Sequence, residues 1–179
     1  MSDYYANAIK FFGKEITPPE REFYIPFKRY SREGKELLKA LWTIEHRLVG
    51  PFFDSIKAEA IEGDIVEFGV YQGNSLLRIG EQCKRAGLDR QIYGFDSFEG
   101  LPAPTEADQS SWYQGKFSET TLEAVTRRLR RGKHGNVILV KGWFEDTLTR
   151  ADLQEKITKI AYARIDSDLY QSAVECLAF

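Results

Sequence analysis

The chain predicts an α/β fold, an open, doubly wound, Rossmann-like parallel sheet preceded by a helical arm. Three observations carry that expectation. After Gly63 short apolar runs alternate with amphipathic segments, a glycine pair follows the first run, and the second run ends on an aspartate. Strands joined by crossover helices must lie parallel, so the order β-α-β-α-β-α-β places helices on both faces of one sheet.

The elements follow in order. In "REGKELLKALWTIEHRLVGPFFDSIKAEA" the set Leu37, Leu41, Ile44 and Leu48 recurs with helical spacing, which predicts a helix with one buried stripe, broken at Gly50-Pro51 and resumed toward Ala60. Before it, "EITPPEREFYIPFKRY" is aromatic and proline-rich without a period and reads as an arm. "DIVEFGV" is the first strand, and "NSLLRIGEQCKRAG" a helix capped by Asn74 or Ser75 and stopped by Gly87. "QIYGFD" is the second strand. The long loop "SFEGLPAPTEADQSSWYQGKF" leads to a helix that Ser118 can cap, ending at Gly132. "NVILVKG" and "KIAYARID" are the third and fourth strands, with a short helix near "RADLQEKI" between them, and a last helix opens after Asp168. Residues 1–60 form the arm and helices, and 61–179 the α/β domain.

Composition narrows the function classes. The 179 residues suffice for one core and not for two ordinary domains. With 42% apolar and 29% charged residues and a mean hydropathy of −0.42, the chain is that of a folded soluble protein. No run approaches the roughly 20 apolar residues of a membrane span, and "MSDYYANAIKFFGKEI" lacks the order of a secretory signal, so no membrane partner and a cytoplasmic location are expected. A net charge of −2 supplies no general attraction for nucleic acid. Arg127, Arg128, Arg130 and Arg131 read as the solvated face and last turn of a helix, and Cys83 and Cys176 as reduced packing residues. The aromatic arm and the amphipathic N-terminal helix are candidate surfaces for pairing into a homo-oligomer.

In doubly wound sheets ligands bind beyond the carboxyl ends of the strands. The first strand end reads "VEFGVYQGNS", with Glu67, Gly69 and Gly73; glycines let backbone approach a ligand and turn into a helix whose amides face the crevice. Asp96 ends the second strand 29 residues after Glu67 and 23 after Gly73, close to the roughly 20-residue offset at which an acid meets ribose hydroxyls. The two features in register favour an adenosine-type cofactor and leave open which one. Gly69-Val70-Tyr71-Gln72-Gly73 puts bulky residues where a dinucleotide loop has its second glycine, and Glu67 would repel phosphate. A cationic or zwitterionic head suits this site better.

"VEFGVYQGNS", "YGFDSFEGLP", "VKGWFEDTL" and "RIDSDLYQSAVE", in this order, resemble the macrocin O-methyltransferase family of class I S-adenosylmethionine-dependent enzymes, which methylate sugar hydroxyls of macrolides and related metabolites. The resemblance spans Ile61 to Phe179. It implies the class I methyltransferase sheet and S-adenosylmethionine as cofactor, with Glu67, Gly69 and Gly73 bordering its methionine part and Tyr71 and Ser75 in the same loop. It further implies Asp96 and Ser97 at the ribose, Gly142 and Trp143 near adenine, and Asp166 as a ligand of a divalent metal, Mg2+. A sugar hydroxyl is a very weak acid, and magnesium on hard oxygen ligands could both orient and acidify it. Asp168 reads first as the cap of the next helix, then as a second ligand or a group supporting the first.

Two departures qualify the resemblance. Macrolide-sugar methylating members carry a histidine in the loop after the "SFEGLP"-like motif, taken to be the general base, and "APTEADQSSWYQGKF" holds none. His134 and His46 lie elsewhere and read as surface or packing residues, which leaves Asp108, Glu106 and Asp168 as candidates for the base. Trp112, Tyr113 and Phe117 in that loop could stack on an acceptor or close as a lid. The sheet also lacks the last three strands of its class, which would leave "KIAYARI" as an apolar edge; truncation of a longer protein is the favoured explanation, completion by a partner the other. The leading expectation is an O-methyltransferase acting on a hydroxylated small molecule, a sugar or other metabolite. A catalytically degenerate binding protein is the alternative, and a nicotinamide oxidoreductase is disfavoured by the loop.

Overall fold

The computed structural model describes residues 48–109 and 111–179, within the unit His46–Phe179. Four strands, β1 (Asp64–Phe68), β2 (Ile92–Asp96), β3 (Val137–Lys141) and β4 (Ile160–Ile165), form one parallel sheet in the order β3-β2-β1-β4. The chain moves outward from β1 to β3 and then returns to the other side of β1. The strand order therefore reverses between β1 and β4, the point at whose carboxyl ends sheets of this kind bind ligands.

Alternation within the strands sorts side chains between two cores. Ile65 and Ile92 face one side, where Phe53 and Ile56 of α1 (48–58), Leu76, Ile79 and Cys83 of α2 (Asn74–Ala86), and Val125 and Leu129 of α3 (Leu122–Arg131) complete the cluster. Val66, Phe68, Tyr93 and Phe95 face the other. There they meet Val140, Leu148, Leu153, Ile157 and Cys176, contributed from β3 and from the stretch containing α4 (Phe144–Thr147), α5 (Ala151–Lys156) and α6 (Tyr170–Ala178). Phe68 and Phe95 stack at 5.4 Å, and Phe179 meets each edge-on. Such pairs add about 0.5–1.5 kcal/mol each beyond the area they bury. Cys83 and Cys176 are buried free thiols, as expected of packing residues.

Several local expectations are corrected. Residues 48–58 are helical straight through Gly50-Pro51. Tertiary anchors hold that segment: Phe53 and Ile56 are buried, Arg85 donates to the Gly50 carbonyl at 3.0 Å, and Arg85 pairs with Asp54. Leu48, assigned to the buried stripe, is 64% exposed. Leu37, Leu41, Ile44, His46 and the aromatic arm lie outside the described residues. Gly73, not Asn74 or Ser75, is the N-cap of α2, because the glycine loop leads directly into the helix at φ +74°. Thr121 replaces Ser118 as the cap of α3 and accepts from the Ala124 amide at 3.2 Å. His134 is a packing residue whose ring lies against Gly80 and Gly132, and burial pulls its pKa below the ordinary value. No described helix is long and apolar enough to cross a membrane.

Candidate functional site

The β1-to-α2 loop is a compact left-handed turn, with Gly69, Tyr71 and Gly73 at φ +88°, +48° and +74°. At Gly69 the requirement for glycine is absolute in space as well as in angle: a Cβ there would lie 2.1 Å from the Asp166 carbonyl oxygen. The Asp166 amide in turn donates to the Phe68 carbonyl at 2.8 Å. The glycine loop and the loop after β4 thus leave the sheet in backbone contact.

Asp96 organises this turn. Its Oδ2 accepts from the Val70 and Tyr71 amides, both at 2.8 Å, and its Oδ1 accepts from the Phe98 amide at 2.7 Å. A carboxylate offers about four lone-pair sites, so one direction remains for a hydroxyl. Ser97 is committed to its own turn, donating to the Gly100 carbonyl at 2.8 Å and accepting from the Glu99 amide. Gly142 joins the cluster through a 3.0 Å bond from its amide to the Asp96 carbonyl, and Trp143 follows as the N-cap residue of α4. Arg128 is not merely a solvated charge, for it donates to the Gln72 carbonyl and braces the glycine loop.

Glu67 is fully buried at the end of β1, and both its carboxylate oxygens lack a directed hydrogen bond. Burial raises its pKa to about 8, against the lowering influence of the Ser75 hydroxyl and the Arg164 charge. Arg164 stands opposite it in the β1–β4 register, with Nε 3.0 Å from Glu67 Oε1. The same guanidinium donates from Nη2 to Asp166 Oδ2 at 2.9 Å. Arg164 was absent from the sequence candidates; a glutamate buried in a central strand calls for a polar partner, and Arg164 is the basic residue of the adjoining strand.

The loop between β2 and α3 is held at several points. Its base closes through Leu101 and Lys116, Tyr71 Oη donates to Glu119 Oε1 at 2.9 Å, and Tyr71 meets Phe117 at 5.4 Å. Lys116 Nζ sits 3.9 Å above the Trp112 ring, and Tyr113 is exposed. Asp108 accepts from Thr105 through Oδ2 and from the Tyr170 amide through Oδ1 at 2.7 Å. Those amides hold its carboxyl below the usual carboxylate range. The capping expectation for Asp168 is thereby corrected, since Leu169 is the N-cap of α6 without a side-chain bond and Asp108 supplies the acceptor instead. Asp168 adopts φ +64°; enclosure of its carboxyl and the neighbouring Asp166 charge raise its pKa to about 6, with Lys116 opposing.

Asp166 and Asp168 gather no third ligand: among the described residues no group of three acidic, histidine or cysteine side chains could hold a metal. A guanidinium already pairs with Asp166. This donor set does not by itself fit the expected Mg2+.

The profile of the family described as Macrocin-O-methyltransferase (TylF) matches residues 46–179. The chain belongs to the macrocin O-methyltransferase family. Within 147 residues it is 28% identical to the 8-demethyl-8-(2,3-dimethoxy-alpha-L-rhamnosyl)-tetracenomycin-C 4'-O-methyltransferase of Streptomyces olivaceus, covering 69% of this chain and 49% of that protein. To the mycinamicin III 3''-O-methyltransferase of Micromonospora griseorubida it is 25% identical over 169 residues, covering 83% of this chain and 64% of that one. The chain spans about half the length of the first of these relatives and just under two thirds of the second. The crystal structure of CalS11, a calicheamicin methyltransferase, superposes with a TM-score of 0.66 at 22% identity, over 99% of this chain and 73% of that one, and supports the shared fold.

Proposed function

We propose that this chain binds S-adenosylmethionine in the crevice between β1 and β4 and serves an enzyme that methylates a hydroxyl of a sugar or related small metabolite. The observation that carries the reading is Glu67, a fully buried carboxyl beside a glycine turn that makes no directed hydrogen bond and has Arg164 on one oxygen, where the α-ammonium of the cofactor would meet it. The remaining lone pair of Asp96 would accept from the ribose, Gly142 and Trp143 would border adenine, and Gly69 lets the loop pack directly on the Asp166 backbone. When bound, the cofactor supplies an electrophilic methyl group on a sulfonium.

Asp168 is the base that fits. With cofactor and acceptor bound, Asp168 would take the proton of the acceptor hydroxyl, and its raised pKa suits that role. Asp108 is a poorer base because three donors already hold its oxygens. Trp112 and Phe117 line the loop that would cover an acceptor ring. No step is routed through a metal.

Calorimetry with S-adenosylhomocysteine tests the reading. The chain is expected to bind it, with Glu67→Gln weakening the affinity by about tenfold or more, as the loss of a charge-assisted bond requires. Absence of binding by the unaltered chain would overturn the proposal. A second reading, cofactor binding without chemistry, draws on the guanidinium that pairs with Asp166. Intact binding with no transfer to any sugar or phenol acceptor would decide for it.

A further inference from the structure

The acids at the ends of β1 and β4 share one cation. Arg164 and Glu67 are register partners in neighbouring parallel strands, so their side chains leave the same face of the sheet. From there Nε reaches Glu67 and Nη2 reaches Asp166, at 3.0 and 2.9 Å. Glu67 stands on the cofactor side of the crevice, and Asp166, two residues before Asp168, on the acceptor side. β1 and β4 stay paired to their carboxyl ends, and the guanidinium lies beside the last of those pairs.

The chemistry of the bridge is specific to arginine. Its planar head presents donors in a fixed fork that can serve two carboxylates in different directions, whereas a lysine ammonium is a point charge on a flexible stem. Burial is graded along the bridge, with side-chain exposure of 0% at Glu67, 28% at Arg164 and 55% at Asp166. The inner half is therefore in a medium where loss of one partner leaves a charge without compensation. Arg164 thus hydrogen-bonds Asp166 and stands at ion-pair distance from Glu67.

We infer that Arg164 is a positioning residue that sets the cofactor-binding carboxylate of Glu67 in register with the acceptor-side aspartates by bridging Glu67 and Asp166. The inference rests on the proposed cofactor reading. Backbone contacts at Gly69 already join the two loops, and Arg164 joins their side chains. It touches neither the transferred methyl nor the acceptor, and it acts through the two acids that it holds.

The test is a double-mutant cycle on S-adenosylhomocysteine affinity in the full chain, with thermal melting as a check on the fold. Arg164→Lys keeps the charge and loses the fork; it is expected to weaken binding by about tenfold, the scale of one charge-assisted contact. In a Glu67→Gln background the same lysine substitution is expected to change affinity by less than about twofold, because its route to the ligand is gone. A general loss of structure would instead lower affinity equally in both backgrounds. Where Arg164→Lys does not fold, Glu67→Gln is compared with Glu67→Gln/Arg164→Gln, which buries no lone charge, and equal affinities are expected. Unchanged binding in Arg164→Lys, or equal losses in both backgrounds, would overturn the inference and leave the cofactor reading standing. Failure of the unaltered chain to bind would overturn both.

Discussion

Asp108 Oδ1 accepts the amide hydrogen of Tyr170 at 2.7 Å, across 62 residues of chain, and so caps the helix that follows the paired aspartates. A helix start that finds no acceptor in its own sequence takes one from a distant loop. One carboxylate therefore ties the loop carrying Trp112, Lys116 and Phe117 to the end of the sheet that carries Asp166 and Asp168.

From this tie it follows that Asp108→Ala should lower the midpoint of urea unfolding and increase amide exchange at Tyr170 and in residues 105–108. Asp108→Asn retains an acceptor oxygen and should lie close to the parent in both measurements. Equal destabilisation by alanine and asparagine would show that the charge, and not the cap, matters here.

Turnover should separate Asp108 from Asp168. In the active protein Asp168→Asn is expected to lower kcat by about a hundredfold or more while leaving the acceptor KM within a few-fold, as loss of a general base does. Asp108→Asn is expected to retain most of kcat. The reverse pattern would move the base to the loop.

Gly69 should tolerate no side chain. Gly69→Ala forces a Cβ to within 2.1 Å of the Asp166 carbonyl at φ +88°, and is expected to destabilise by more than about 2 kcal/mol and to abolish S-adenosylhomocysteine binding. The comparison is Gly87→Ala, at φ +64° with nothing within 4 Å of the new Cβ, which should cost only about 1 kcal/mol, read from urea unfolding of both variants.

Glu67 should leave its mark on the pH dependence of stability. Its pKa rises from 4.5 in the unfolded chain to about 8 in the fold, so the native state keeps a proton that the unfolded state has lost between those values. Stability from this group is present at low pH and declines as pH rises through that window, at up to about 1.4 kcal/mol per pH unit. Glu67→Gln should remove that slope in urea unfolding measured from pH 5 to about 8. Binding of a cationic ligand should also release a proton near pH 7, seen as a calorimetric enthalpy that varies with the ionisation heat of the buffer; no such variation would place the ligand cation elsewhere.

Much of the frame was legible from short-range pattern. The runs "DIVEF" and "IYGFD" are apolar because central parallel strands are covered on both faces. Gly87 ends α2 as a left-handed cap, as its position after "CKRA" predicts. The caps of α2 and α3 were legible only to within a few residues, since serine, threonine and asparagine cluster at both starts and the path of the entering loop selects among them. Leu48 followed the helical period and is nevertheless exposed, while Phe53 and Ile56 fill the core. Periodicity marks a face, and the neighbouring elements decide whether that face is covered.

The sequence by itself determined the order of strands and helices, the glycine turn after β1, and the presence of acids at the ends of β1, β2 and β4. These depend on interactions within a few residues, which a linear pattern records. Only the tertiary structure decided how those acids are used. Asp96 spends three of its lone pairs on the backbone around it, Asp108 caps a distant helix, and Glu67 and Asp166 share Arg164. Those pairings join residues brought side by side by a parallel sheet whose order reverses at β1, and the demand of buried charge for a partner selects among the neighbours that the sheet supplies.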